Sequence, residues 1–289
     1  MITPANRSLI ESQMLKKRTI TSAWYAALLV VIVWFGGGSG FSALVATLGI
    51  LAALEFYRMV ASAKAPPLTY FGLTWTAFFI LSRNAELLTR LEAHFNPDLL
   101  TPLLLTSAIV LPLFGLLARR QKEGAISSWV WTVAGILYIG WLLSYLVALR
   151  GLDNGRNWVY LVLFVTWVSD TTAFLVGRRL GRHKLAPAIS PGKTWEGTVG
   201  GICGGIAMST LFFTPTTFQL PLNPGQTVLL GALTSILGQV GDLFESLFKR
   251  NLGVKDSGKL MPGHGGILDR IDSLLLAGIM VYYYAIWVA

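Results

Sequence analysis

Nine apolar runs set the rhythm of this chain, at 20–35, 41–59, 68–81, 99–118, 126–149, 158–176, 197–213, 226–241 and 273–288, each cut by turn residues or charge. A helix needs roughly 20 apolar residues to cross a bilayer, so most runs approach spanning length and 68–81 is short. The predicted fold is an all-α polytopic membrane protein of about nine transmembrane helices. Residues 1–19 read as a cytoplasmic N-terminal tail and 20–289 as a single transmembrane bundle. Its N-terminal spans cover 20–149, and its second half, 158–289, carries the charged loops 177–196 and 242–272. The polar start and the run 20–35 have the charge order of a signal peptide, but eight further runs make it an anchor that stays.

Lysine and arginine positions choose the orientation, because cytoplasmic loops are enriched in them. With nine spans and an inner N-terminus, 19 of the 23 fall inside and only Arg83, Arg90, Arg150 and Arg156 outside. If 68–81 did not cross while the second half kept its orientation, the split would fall to 13 against 10. The chain is therefore expected to have its N-terminus inside, its C-terminus outside and both charged loops at the cytoplasmic face of the inner membrane.

Composition then works by exclusion. Hydrophobic residues make up 54% and charged residues 13%, with a mean hydropathy of +0.61. Soluble domains carry roughly 25% charge, so disordered chains, coiled coils and ordinary soluble enzymes drop out. The net charge of +9 is accounted for by topology and by attraction to anionic headgroups, not by a nucleic-acid partner. Cys203, the single cysteine, has no disulfide partner in the chain and is expected to be a small buried residue. The glycines of 36–40 read as a tight turn, and the uncharged, proline-bearing stretch 214–226 as an outer connection. Gly197, Gly201 and Gly205, with Gly200 and Gly204 beside them, recur on one helix face and predict close helix packing.

Chemistry has three candidate places. Asp170 lies inside an apolar run, where a carboxylate is costly and should face a cavity, a cation or a partner. The loop after it runs from Gly177 through Arg178, Arg179, Arg182 and Lys184, a basic topological signal. It continues to Ser190-Pro191-Gly192-Lys193-Thr194-Trp195-Glu196-Gly197. Gly192-Lys193-Thr194 imitates the end of a P-loop, but Pro187 stands where that loop needs glycine. Lys193 remains a candidate phosphate ligand, with Ser190 and Thr194 as hydroxyl donors. The third place, 242–272, balances Lys249, Arg250, Lys255, Lys259 and Arg270 against Asp242, Glu245, Asp256, Asp269 and Asp272 around glycines. Asp242 is expected to end one span, and Asp269 and Asp272 to begin the next on a shared helix face. Carboxylates at two helix ends with cations between them suit Mg²⁺ and the phosphates that it binds. Asp269 as a helix cap and Glu245–Lys249 as a helix-surface pair are the plainer alternatives. His264 has no second histidine or cysteine near it, which argues against zinc and leaves a phosphate donor or a loop-fixing hydrogen bond.

These residues resemble the phosphatidate cytidylyltransferase (CDP-diacylglycerol synthase) family. Its signature is met by Ser246, Lys249, Arg250, Lys255, Asp256, Pro262, His264, Gly265, Gly266, Asp269, Arg270 and Asp272. Met261 stands where another apolar residue is usual. Asp170 and the stretch from Ser190 to Gly197, Glu196 included, resemble a second conserved region, so the likeness is close over 165–275. It implies cytidylyl transfer from CTP to phosphatidate with Mg²⁺, and K⁺ as a second metal, in a bundle that is commonly a homodimer. Asp242 and Asp269 are implied as metal ligands, with Asp256 and Asp272 in support. Lys193, Lys249, Arg250, Lys255 and Arg270 are implied as phosphate ligands. Another lipid phosphotransferase and a secondary transporter are the rival readings. The first lacks the Asp-Gly-x-x-Ala-Arg run of the CDP-alcohol class, and the second lacks internal repeats.

Overall fold

A computed structural model describes residues 27–62, 66–92, 95–117, 123–212, 218, 220–258 and 265–288. The described part of each predicted apolar run falls on a helix, give or take a residue or two at its ends. Helix α1 occupies 27–35, and residues 20–26 of the first predicted run lie outside the described residues. It is followed by α2 (Gly37–Ser62), α3 (Thr69–Leu81), α4 (Ala85–Glu92) and α5 (Leu100–Leu117). Next come α6 (Ala125–Gly135), a π-helical turn (Ile136–Trp141) and α7 (Leu142–Arg150), which together make one long rod. The second half is α8 (Gly155–Leu180), α9 (Trp195–Thr210), α10 (Pro224–Asn251) and α11 (Leu268–Val288).

Among the described residues, six helices are long and apolar enough to cross a membrane: Gly37–Ser62, Pro97–Leu117, Ala125–Arg150, Gly155–Leu180, Pro224–Asn251 and Leu268–Val288. At 13 and 16 residues, α3 and α9 reach only ~20 and ~24 Å, short of a ~30 Å hydrocarbon layer. Leu103, Val110, Phe114 and Leu117 of α5 point outward uncovered, as lipid-facing residues do.

Four details depart from the sequence expectations. A two-stranded antiparallel hairpin, β1 (Lys184–Ala186) with β2 (Ser190–Thr194), interrupts the all-helical plan between α8 and α9. Its turn is closed by the Ile189 N–H donating to the Ala186 carbonyl at 3.1 Å, and the second strand leads directly into α9. The break at 36–40 shrinks to a bend at Gly36, and Gly37, at φ +60°, already belongs to α2. Asp242 does not end its helix, because α10 runs nine residues further, to Asn251. Cys203 is exposed, since the glycines of α9 occupy the packed face and push it to the other side.

Those glycines behave as expected. A side chain on Gly201 would come within 2.8 Å of Gln239 and 3.0 Å of the Ala173 methyl. One on Gly205 would lie 1.8 Å from the Ser235 hydroxyl. So α9 lies directly against α8 and α10, with no room for bulk. An Asn223–Gln226 capping box and Pro224 at the first turn set the start of α10.

Candidate active site

Close packing of α8, α9, α10 and α11 leaves one cavity of about 720 Å³ at the end where the hairpin sits. Asp170 enters it from α8, Lys193 and Thr194 from β2, Asp242, Glu245 and Lys249 from α10, and Asp269 and Asp272 from α11. The 28 residues of α10 span ~42 Å, and Asp242 lies ~27 Å along it from Pro224. Its last turns therefore rise past the apolar layer and can carry charge.

Ion pairs organise the cavity. Lys193 Nζ sits 2.9 Å from Asp242 Oδ2 and also donates to the Gln239 carbonyl at 3.3 Å. Lys249 Nζ pairs with Glu245 one turn back and with Asp269 Oδ1 at 2.6 Å. The other Asp269 oxygen accepts the backbone N–H groups of Gly266 at 2.7 Å and Ser257 at 3.2 Å. Ser246 donates to Asp242 Oδ1 at 3.4 Å. Asp272 is buried and takes the Ser273 N–H at 2.7 Å, and the Ser273 hydroxyl reaches both it and Asp170 at 3.4 Å. Gly265, at φ +81°, tolerates no side chain, because a Cβ would stand 2.5 Å from Asp269 Oδ2.

Oxygen atoms of Asp242, Glu245 and Asp272 lie within 4.8 Å of one another. Glu245 Oε1 is buried with no hydrogen-bond partner. Lys193 serves Asp242, and Lys249 serves Glu245 and Asp269, so no lysine pairs with Asp272 among the described residues. Three carboxylates this close repel unless a cation or a proton joins them, and a hard divalent ion with oxygen ligands fits the donor set.

The structure thus gathers Asp170, Ser190, Lys193, Thr194, Asp242, Lys249, Asp269 and Asp272 in one cavity. Other residues singled out from the sequence stand elsewhere. Lys255 and Asp256 line a second recess of about 700 Å³ with Glu55 and Arg58. Arg250 donates through Nε to the Ile189 carbonyl at 3.1 Å and so ties α10 to the hairpin turn. Glu196 pairs with the His183 ring at 2.6 Å, outside the cavity lining. Arg270 is exposed on the first turn of α11 and is not among the lining residues, and His264 lies outside the described residues.

Sequence reasoning undervalued several lining residues. Glu245 follows Asp242 by three positions, the same spacing that put Asp269 and Asp272 on one face, yet it reads as a surface pair. Arg178 and Lys184, read as topological signal, also line the cavity. Gln239, Thr198 and Ser273 are uncharged and gave no signal. Glu55 did: it is a lone acid inside the run 41–59, and an intramembrane acid is a functional candidate by default.

A lipid-facing helical bundle whose carboxylates and lysines converge on one end defines a membrane enzyme of phosphate chemistry. The chain belongs to the cytidylyltransferase family, whose model matches residues 16–288. It is 33% identical over 279 residues to a phosphatidate cytidylyltransferase of Brucella abortus (strain 2308), covering 93% of each chain. Against the Bacillus subtilis (strain 168) phosphatidate cytidylyltransferase it is 32% identical over 272 residues, 93% of this chain and 97% of that one. Against the Staphylococcus haemolyticus (strain JCSC1435) phosphatidate cytidylyltransferase it is 45% identical over 141 residues, 48% and 52% of the two chains. The enzyme is a nucleotidyltransferase.

Proposed function

We propose that the chain transfers the cytidylyl group of CTP to phosphatidate, giving CDP-diacylglycerol and pyrophosphate for phospholipid synthesis. The relatives' names support this reading over nearly the whole chain. The observation that carries it is the single cavity in which Lys193 and Lys249 face the carboxylates of α10 and α11. A transporter would favour internal repeats and charges at mid-membrane, whereas here carboxylates and lysines of the hairpin, α10 and α11 share one cavity.

The chemistry asks little of a general base. The second pKa of a phosphate monoester is near ~6, so the attacking oxygen of phosphatidate is already largely ionised at neutral pH. That oxygen bonds to the α-phosphorus of CTP, and the α–β bridging bond breaks to release pyrophosphate. The protein must hold the two anions in line and offset the charge that builds on the leaving group. Lys193 and Lys249 sit deep enough to meet the reacting phosphates, and Arg178 and Lys184 at the rim suit the outgoing pyrophosphate. Asp242, Glu245 and Asp272 would hold Mg²⁺, with Asp269 beside them. The ion supplies positive charge to the phosphates and orients them. A K⁺ ion beside it and a homodimer belong to the same reading. Purified protein in detergent, given labelled CTP, phosphatidate and Mg²⁺, should form labelled CDP-diacylglycerol; no product under any divalent ion would overturn the assignment.

Nine crossings with an inner N-terminus complete the reading, α1, α3 and α9 being the three beyond the six long helices. The lysine and arginine split supports it, as does the meeting of the hairpin and the end of α10 around one cavity. In a Cys203→Ser background, an impermeant thiol reagent applied to right-side-out vesicles should label Asp153→Cys and leave Asn251→Cys unmodified. Labelling of Asn251→Cys from outside would reverse the topology and deny the site cytoplasmic CTP.

A further inference from the structure

Glu55 lies in the apolar stretch of α2, 1% exposed, in the half of the bundle that contributes no residue to the lining of the cavity. Burying an acid there is unfavourable unless its oxygens are used. One of them, Oε2, is used on the catalytic half, while Oε1 is buried without a hydrogen-bond partner among the described residues. Glu55 Oε2 accepts the Leu268 N–H at 3.0 Å and the Ser257 hydroxyl at 3.1 Å. Leu268 opens α11, so its N–H is one of the donors that a helix start leaves unpaired. A carboxylate is electrostatically favoured at that place. Ser257, held through its hydroxyl, donates its own N–H to Asp269 Oδ2 at 3.2 Å, and the opposite oxygen of Asp269 takes Lys249. Two glycines allow the approach: a Cβ on Gly258 would stand 2.4 Å from Glu55 Oε1, and one on Gly266 2.2 Å from Oε2.

We propose that Glu55 is a positioning residue for the transfer reaction: it fixes Ser257 and the start of α11, and through them holds Asp269 against Lys249. The inference rests on the function proposed above. It assigns a role to a residue outside the signature, 202 positions before Ser257.

The test uses the full chain in detergent. Glu55→Ala should lower kcat about tenfold with KM for CTP within about twofold, the effect of losing an acceptor to two buried donors rather than a substrate contact. Glu55→Gln keeps an oxygen where Oε2 stands, and should restore kcat to within about threefold of the parent. In an Asp269→Asn background, Glu55→Ala should cost less than about twofold, because residues acting through one another are not additive. Amide exchange in Glu55→Ala should rise over 255–258 and 265–270 and stay unchanged in the middle of α10. Multiplicative losses in the double variant, equal losses from Ala and Gln, or unchanged exchange over those segments would each overturn the inference. If the parent protein makes no CDP-diacylglycerol, the reaction assignment fails, and the exchange experiment still decides whether Glu55 positions α11.

Discussion

The two halves of the bundle are held together by different means. Around α2 the filler is aromatic: the Tyr57 ring lies where a Cβ on Gly72 or Gly135 would come within 2.3 or 2.5 Å, and Phe56 meets Phe248 edge-on at 5.7 Å. Beside the cavity, between α8, α9, α10 and α11, the filler is almost nothing, because glycines and serines let backbones touch. The aromatic cluster of Phe164, Phe212 and Phe218 lies elsewhere in that half. A Cβ on Gly241 would lie 2.5 Å from the Asp272 carbonyl oxygen, so α10 and α11 meet beside Asp242. Aspartate is short. Bringing Asp170, Asp242 and Asp272 from three helices into one cavity requires those helices to be this close. Thick aromatic packing builds a scaffold, and thin glycine packing builds a site.

That contrast breaks first at the carboxylates. Asp269→Asn keeps the size of the side chain but loses the charge that Lys249 and two backbone N–H groups meet. Turnover should fall ~10²–10³-fold, as when one electrostatic group is removed from other active sites. The protein should still insert and stay folded; near-normal rates would reduce Asp269 to a helix cap.

Lys193 and its loop neighbours sharpen the comparison at the next level. Lys193→Gln removes the cationic partner of Asp242 and should reduce kcat/KM by roughly tenfold or more, since a half-buried, hydrogen-bonded charge is lost from the cavity. Arg179→Gln, outside the cavity lining, should change it by less than about twofold. Arg178→Gln should fall between them. Equal, mild effects at all three would return the whole loop to a topological signal.

Glycine substitutions give the smallest effects and separate the halves most cleanly. Gly135→Ala and Gly241→Ala should each destabilise the protein by about 1–3 kcal/mol through overpacking, read as a lower melting temperature in detergent. Only Gly241→Ala should also lower the rate per folded molecule, because it displaces Asp272. Equal rates for the two variants would contradict the claim that close packing builds the site.

The sequence made the apolar helices legible, because hydrophobic runs report burial or lipid directly. Gly197, Gly201 and Gly205 were legible for the same kind of reason: their spacing fixes a face. Less visible was where that face leaves Cys203, since exposure to lipid and burial in protein select similar residues. The hairpin at 184–194 was hidden because its strands are too short for an alternating pattern. Within the site, signature residues separated by the fold, such as Lys255 and Lys249, look equivalent along the chain. Only the turn after Asn251 sends Lys255 towards the second recess. Glu55 was visible as an acid in an apolar run, but its partners lie more than 200 positions away.

On the proposed reading, carboxylates from α10 and α11 hold a divalent ion at the reacting phosphates. Its most direct test is the rate of CDP-diacylglycerol formation against Mg²⁺ concentration for the parent protein and Asp242→Asn. The expected result is an Mg²⁺-dependent parent and a variant slower by ~10²–10³-fold that more Mg²⁺ does not restore. A variant that regains the parental rate at saturating Mg²⁺, or a parent indifferent to the ion, would contradict it.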